Sequence, residues 1–552
     1  MTVSFASDIN ILIIDDQPLA QSYMRYSLES LGYRNVAIAE KAERAIRLSR
    51  ERNFDLMICS FNLRHGKDGY QLYEELKSKK LIKLTTAFVF ISAETDTSLV
   101  HSVVELQPDD FLAKPFTLKE LGSRLDRVLN RKHILRPIYQ FIDSENYSAA
   151  IRQIDDFLEN ETYAKLLPLL LRLKGDILLR IFDWPSAITF FESILEVQKF
   201  AWARIGLVEA LVNNQEDERA MLHLKQMIER PETKLIAYDM LSQLQFKNKE
   251  YEEAFNHLQI AAQMSPRNLY RQEKLLNLSR ITHDYEAQFK TSKDIVKFAK
   301  HSMHEQPSIY LNVARASIDY AQTCFEEDTV RILRHATDYL AEMKKNFPNA
   351  DTEEQITCLT ARLLYLKDEK VKAKQLIHQV MNQDEAPIES IEDELDKAKA
   401  LHELGFHDKS KQLFERIEEY CLSTQTGSNG LTEYIQQEKQ QREEITETPK
   451  ELNNKAVNLY SHGKYNEAFN AFLLAFKVMP KNTSICLNLL QTICDAPNIN
   501  VNAEDVHHLI ERCINVIDDV GLNDEQTLRY NKLTERLKDK ANIPFSSINV
   551  TV

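Results

Sequence analysis

The run Ile11-Leu12-Ile13-Ile14 ends in Asp15-Asp16, and a bare apolar tetrad closed by two carboxylates reads as a strand buried on both faces. Working outward, a helix is expected over 19–31, stopped by Gly32, and then a strand over 36–39. A helix over 42–51, strands over 56–59, 88–91 and 111–113, and a helix over 118–129 follow. Alternating strand and helix predicts an α/β doubly wound, parallel five-stranded sheet with helices on both faces. In such sheets the working crevice lies at the carboxyl ends of the strands. Asp15, Asp16, Ser60, Ser92 and Lys114 all fall at those ends, which points to one shared site.

The residues at these ends carry a resemblance. Asp15-Asp16, Asp68-Gly69, Ser92-Ala93 and Lys114-Pro115-Phe116 match, in order and spacing, a response-regulator receiver domain. The resemblance covers 9–131, and a domain is assigned to 1–132. It implies that the acidic pair binds Mg²⁺ with an acceptor aspartate and the carbonyl two residues beyond it. By position these are Asp15, Asp16, residue 60 and Asn62. It also implies that Lys114 contacts the phosphoryl group, that Ser92 reorients toward it, and that Phe111 is the aromatic that changes rotamer.

Residue 60 departs from that pattern. The segment Phe54-Asp55-Leu56-Met57-Ile58-Cys59-Ser60-Phe61-Asn62-Leu63 carries serine at the acceptor position. Phosphoryl transfer needs an anionic oxygen placed in line with phosphorus and supported by a divalent ion. A serine hydroxyl is not ionised near neutral pH, and no histidine in the motif is placed to activate it. Losing a carboxylate also weakens the metal site, so no cofactor is required and only weak Mg²⁺ binding is expected. Lys114 is then free to hold Asp15 and Asp16 in a static ion pair. Surrogate phosphorylation on Asp15 or Asp16 is the competing reading. His65, in the loop after the third strand, reads as a solvated loop residue, and Cys59 as core.

Beyond residue 137 the strand signals vanish. An aromatic, an alanine three later and further apolar residues recur as Tyr147-Ala150-Ile154-Phe157, Trp184-Ala187-Phe191-Ile194 and Tyr251-Ala254-Leu258-Ala261 with Pro266. The clearest copy is Tyr465-Ala468-Phe472-Ala475 with Pro480, and His407-Ser410-Phe414-Ile417 is weaker. Tyr251 and Tyr285 lie 34 residues apart, and Gly175 and Gly206 occupy small-residue positions before the turn. A period near 34 means stacked helix–turn–helix units that bury their faces on one another. The pattern resembles tetratricopeptide repeats, forming an all-α superhelix, although 300–400 fits poorly. Repeats are assigned to 133–422 and 451–552. Residues 423–450, rich in Ser, Thr, Gly and Asn and then in Gln and Glu, read as a flexible joint and an exposed helix. The run 436–444 within it reads as solvated. His507-His508 cannot share a helix face and reads as surface.

Composition excludes several functions. The 552-residue chain carries a formal net charge of −14, which disfavours nucleic acid. Only 11 glycines in this length favour helix over loop. The seven cysteines form no C-x-x-C pair, so reduced thiols in the cytoplasm are expected. No apolar run approaches a membrane span, so no membrane insertion is expected. No catalytic set is visible, so the chain is read as not an enzyme.

A receiver without its acceptor, joined to such repeats, resembles accessory components of phosphorelays. The partners implied are a sensor histidine kinase and/or a response regulator, and a peptide or helix ligand of the repeats. Self-association as a homodimer is a further expectation. Inhibition of phosphotransfer is expected, against a pure scaffold or a regulator phosphorylated elsewhere.

Overall fold

The computed structural model describes residues 8–541, apart from 65, 95–96, 324–325, 382–386, 425–429, 445–448, 480–481, 497–502 and 521. His65 and Pro480, both singled out in the sequence, lie outside the described residues. Strands β1 Asn10–Ile14, β2 Asn35–Ala39, β3 Leu56–Ser60, β4 Ala87–Ser92 and β5 Asp110–Ala113 form one parallel sheet in the order β2-β1-β3-β4-β5. Helices α1 Pro18–Ser30, α2 Ala42–Glu51, α3 Gly69–Ser78, α4 Thr97–Leu106 and α5 Leu118–Asp143 complete the expected α/β layers.

The alternation of side chains along each strand explains the two layers. Ile11, Ile13, Ile58, Val89 and Leu112 face Met24 and Leu28 of α1 and Leu121 and Leu125 of α5. Leu12, Ile14, Cys59 and Phe90 face Ile46 of α2, Leu72 of α3 and Val103 of α4. Every strand end therefore opens into a crevice between helix layers, which is where the acidic pair is carried.

Everything after β5 is helical among the described residues. The helices are α6 Tyr147–Glu159, α7 Leu167–Arg180, α8 Trp184–Val197, α9 Ala201–Asn213, α10 Asp217–Ile228, α11 Pro231–Lys247, α12 Tyr251–Met264 and α13 Leu269–Ile281. Then come α14 Tyr285–Ala299, α15 Pro307–Ala321, α16 Glu326–Asn346, α17 Glu353–Leu366, α18 Lys370–Val380, α19 Ile391–Glu403 and α20 His407–Thr424. The last are α21 Leu431–Glu444, α22 Pro449–Ser461, α23 Tyr465–Val478, α24 Thr483–Asp495, α25 Ala503–Val520 and α26 Asp524–Ala541.

The repeat read from aromatics marks helix starts. Tyr147, Trp184, Tyr251, Tyr285, His407 and Tyr465 are each the first residue of a helix, and Ala150, Ala187, Ala254 and Ala468 are fully buried at the crossings. A second regularity was not visible in the sequence. Glu145, Phe182, Gln215, Lys249, His283, Asp368, Gly405 and Gly463 all take positive φ, each two residues before the next helix. In each turn the following amide bonds back five residues, as Asn146 does to Phe141 and Lys464 to Leu459. This is the left-handed helix stop that satisfies the last carbonyls. Because side chains as different as Phe182 and Asp368 serve there, the residue type gives no local signal. Gly175 and Gly206 sit against the Phe191 ring, where a Cβ on Gly175 would come within 2.6 Å of Cε1.

Two boundaries differ from expectation. The 132/133 border falls inside α5, whose 26 residues run unbroken from the sheet layer into the first repeat. There Leu135, Ile138 and Ile142 pack on Ala150, Ile154 and Leu170. The exposed helix expected within 423–450 is instead packed, because α21 buries Tyr434, Ile435 and Glu438, while 425–429 of the expected joint lie outside the described residues. The chain divides instead into one unit of Met1–Leu275 with Asp294–Glu305 and a second of Leu276–Lys293 with Gln306–Val552. In the second unit Arg362, fully buried, pairs with Asp319 and Asp396 at 2.6 Å each, and with Glu403. Cys59, Cys358, Cys421, Cys486 and Cys513 are buried thiols. Among the described residues no helix is long and apolar enough to cross a membrane.

Candidate functional site

Asp15, Ser60 and Lys114 line one small cavity. Asp15 is 7% exposed and Ser60 8%, because Asp15 directly follows β1 and Ser60 ends β3, two strands flanked by neighbours on either side. Lys114, one residue past β5, places Nζ 3.4 Å from Asp15 Oδ2. The other Asp15 oxygen accepts from the Gln17 amide at 2.9 Å, fixing the turn into α1. Asp16 departs from the expected shared ion pair with Lys114. Its Oδ2 lies 3.4 Å from the Arg64 amide and 4.0 Å from Arg64 Nε.

Ser60 Oγ donates to the Asn62 carbonyl at 3.3 Å, so the hydroxyl is turned toward its own loop. Asn62 Nδ2 donates to Glu94 Oε1 at 2.8 Å, and the Glu94 amide donates to Ser92 Oγ at 3.0 Å. Asn62, Glu94 and Ser92 thus form a polar chain across the mouth of the crevice. Arg64 and Glu94 were not singled out in the sequence, since each lies in a loop and pairs with a distant segment. Phe111 is partly buried against the layer of α2, α3 and α4. Burial pushes the Cys59 thiol well above its ordinary range, with Asp68 and Asp15 adding to the shift, which fits a core side chain and not a nucleophile.

The chemistry of the donor set decides what the crevice can hold. Among the described residues there is no cluster of three metal-ligating side chains. Two carboxylates and the Asn62 carbonyl remain, and Asp16 Oδ1 is buried without a hydrogen-bond partner. A hydrated hard cation fits such a set, because Mg²⁺ keeps several waters and needs one or two carboxylates. Asp15, Asp16 and the Asn62 carbonyl would hold it, in competition with Lys114 and the Ser60 hydroxyl.

The other side of the sheet domain is covered within the same compact unit. Arg267, beyond α12, pairs with Asp68 and stands 5.3 Å over the Phe61 ring and 5.8 Å over Tyr70. Asp68 also caps α3 in a capping box with Gln71, and Gln71 Nε2 donates to the carbonyls of Phe298 and Lys300 at 2.9 and 3.0 Å. On α4, Glu105 pairs with the buried Arg271, and Ser102 meets Ser265 at 3.3 Å. The faces of α3 and α4 are therefore joined to the turns around α12, α13 and α14 by polar contacts. Sequence reading missed them because their partners lie 160 to 229 residues apart.

Residues 11–126 match the response regulator receiver domain family. Over 126 residues the chain is 28% identical to a probable chemotaxis protein CheY of Rhizobium etli, covering 23% of this chain and 96% of that one. It is 30% identical over 179 residues to the transcriptional activator protein IrlR of Burkholderia pseudomallei, covering 31% of this chain and 74% of that protein. Similarity to the KDP operon regulator KdpE of Escherichia coli is 32% over 22% of this chain, and the chain spans about half (52%) of that relative's length.

Proposed function

Because the chain belongs to the response-regulator family through its receiver domain at residues 11–126, we propose that it is a non-enzymatic auxiliary regulator of a two-component phosphorelay. The observation that carries this reading is Ser60. A neutral hydroxyl bonded to Asn62 stands where the family pattern needs an anionic acceptor, while Asp15 and Lys114 keep their places around it. Such a domain keeps the shape that a phosphodonor recognises and lacks the group that would discharge it. Occupying the donor without discharging it inhibits phosphotransfer to a working regulator.

The helical region supplies the second contact. Its turns and its alanine crossings support tetratricopeptide-type hairpins, which take a peptide or helix of the kinase or of the response regulator. Linking two weak contacts raises avidity by ~10²–10⁴. The architecture resembles VieB, the accessory protein of the VieSAB phosphorelay.

A reconstituted phosphotransfer assay tests this, using a labelled sensor kinase and its regulator with and without the full chain. Slowed transfer with no label on this chain is the expected result. Label on this chain would overturn it in favour of a regulator phosphorylated at another residue, such as Asp15 or Asp16. A second reading, a scaffold whose receiver only docks, is favoured by the contacts that tie α3 and α4 to the repeats. It predicts an unchanged transfer rate in the same assay.

A further inference from the structure

The helix α21 has the composition of a solvated segment and the burial of a bound one. Its sequence is Leu-Thr-Glu-Tyr-Ile-Gln-Gln-Glu-Lys-Gln-Gln-Arg-Glu-Glu, and Tyr434 and Ile435 are its only core hydrophobics. What holds it is chiefly polar. Lys399 of α19 donates to the Tyr434 hydroxyl at 2.6 Å and lies 3.4 Å from Glu438. The same ammonium reaches Asp319 of α15 at 2.9 Å. Arg280 of α13 lies 5.9 Å over the Tyr434 ring. His402 of α19 meets the Arg442 carbonyl at 3.2 Å, and Lys439 pairs with Glu418 of α20 at 2.6 Å.

The seat beneath it extends beyond what α21 fills. A cleft continues past Tyr434, lined by Arg280, Asn312, Arg315, Glu392 and Asp396. Inside it Asp396 Oδ2 and Arg315 Nε are buried and make no hydrogen bond, being 3.9 Å from one another. Asp396 is 3% exposed, so an oxygen there that has an ion pair but no hydrogen bond is incompletely compensated. This acceptor and donor, held side by side by charge alone, can each add a hydrogen bond to a carboxamide or similar two-way polar group.

We propose that the polar seat formed by α13, α15 and α19 is a helix-binding site, held in this structure by the chain's own α21. Its second occupant is a partner helix that presents tyrosine and glutamate four residues apart, with a carboxamide side chain for Arg315 and Asp396. This deepens the reading above that the helical region takes a peptide or helix, and it rests on that reading. The argument for such a partner is complementarity. Lys399 and Arg280 select an aromatic hydroxyl beside a carboxylate. Buried ion pairs also add little net stability over an apolar contact, because desolvation offsets the attraction. A helix seated this way is exchanged more readily than one seated on apolar side chains.

The test is fluorescence anisotropy with a labelled synthetic peptide of residues 431–444 and the full-length chain. The Glu438→Lys chain sets a cation against Lys399 and releases α21 from its seat. The peptide is expected to bind that chain at least ~10-fold more tightly than wild type, because the tethered competitor is gone. A peptide carrying Tyr434→Phe and Glu438→Gln is expected to lose at least ~10-fold on the same chain. Equal binding of both peptides, or none to either chain, overturns the proposal. Hydrogen exchange on the unaltered chain is independent of whether the variant folds. Amides of 431–444 must exchange faster than those of α19, and equal protection overturns it. A wild-type dimer that Glu438→Lys dissociates also overturns it, by giving the seat to a second copy. No phosphorelay component enters these measurements, so they can fail while the phosphotransfer reading stands.

Discussion

The guanidinium of Arg267 pairs with the carboxylate of Asp68 while lying 5.3 Å over the ring of Phe61, the neighbour of Ser60. One side chain of the helical region thus touches both the loop that follows Ser60 and the cap of α3. Arg267→Ala is expected to cost about 1–3 kcal/mol, since it strips a partly buried charge-assisted bond and a cation–π contact. Urea unfolding measures that loss, and hydrogen exchange should show faster opening at the start of α3. Arg267→Lys keeps the charge without the flat stack and should fall between the two.

Ser60→Asp places beside Asp15 and Lys114 an anion whose absence, under the proposed function, is the cause of inhibition. Treated with acetyl phosphate and Mg²⁺, this variant should gain one phosphoryl group by intact-mass spectrometry, and the wild-type chain none. A variant that stays unmodified would mean that the Lys114 and Ser92 positions are no longer competent.

Arg362 is fully buried among Asp319, Asp396 and Glu403. Arg362→Met removes the cation that the three carboxylates share and leaves only Lys399 beside Asp319 and Arg315 near Asp396, so about 3–5 kcal/mol of stability should be lost. The midpoint of urea unfolding, followed by circular dichroism, reports it. A change below about 1 kcal/mol would mean that the carboxylates take up protons instead.

His402 is held neutral. Burial, then the nearby charges of Arg442 and His407, push it down to about 4. The unfolded chain therefore binds this proton more readily than the folded one. The contribution to stability is full above about 6.5 and declines as the pH falls toward 4, reaching ~3 kcal/mol of loss below that. His402→Gln should flatten this part of the stability profile between pH 6.5 and 4 without removing the acid transition of the carboxylates.

Gly206 faces the Phe191 ring so closely that any Cβ must displace it. Gly206→Ala should cost about 1–3 kcal/mol through overpacking. Pairing it with Phe191→Leu, which makes room, should recover part of that loss in a double-mutant cycle.

The sheet was legible because parallel strands buried on both faces carry their signal locally. The runs at 11–14, 56–59 and 88–91 fall inside β1, β3 and β4. Strand ends are also why Asp15, Ser60 and Lys114 could be placed near one another from the sequence, and the structure sets these three around one cavity. What stayed hidden is carried by charged side chains whose partners are remote. Lys399, Glu438 and Arg362 are buried, yet a charge in sequence reads as solvated. For that reason the helix within 423–450 looked exposed and 300–400 fitted the repeat poorly. The repeat turns were missed because the left-handed position is filled by residues with nothing in common but their geometry.

The unbroken course of α5 turns the junction of receiver and repeats into a matter of phase. A helix advances about 1.5 Å and rotates roughly 100° with each residue. Inserting or deleting one residue between Val128 and Leu135 would swing the buried faces on its two halves out of alignment, although every local contact could still be made separately. The receiver is therefore keyed to its repeats like a gear on a shaft. Exchange of this domain between proteins would have to conserve the helical register as well as the sequence on either side.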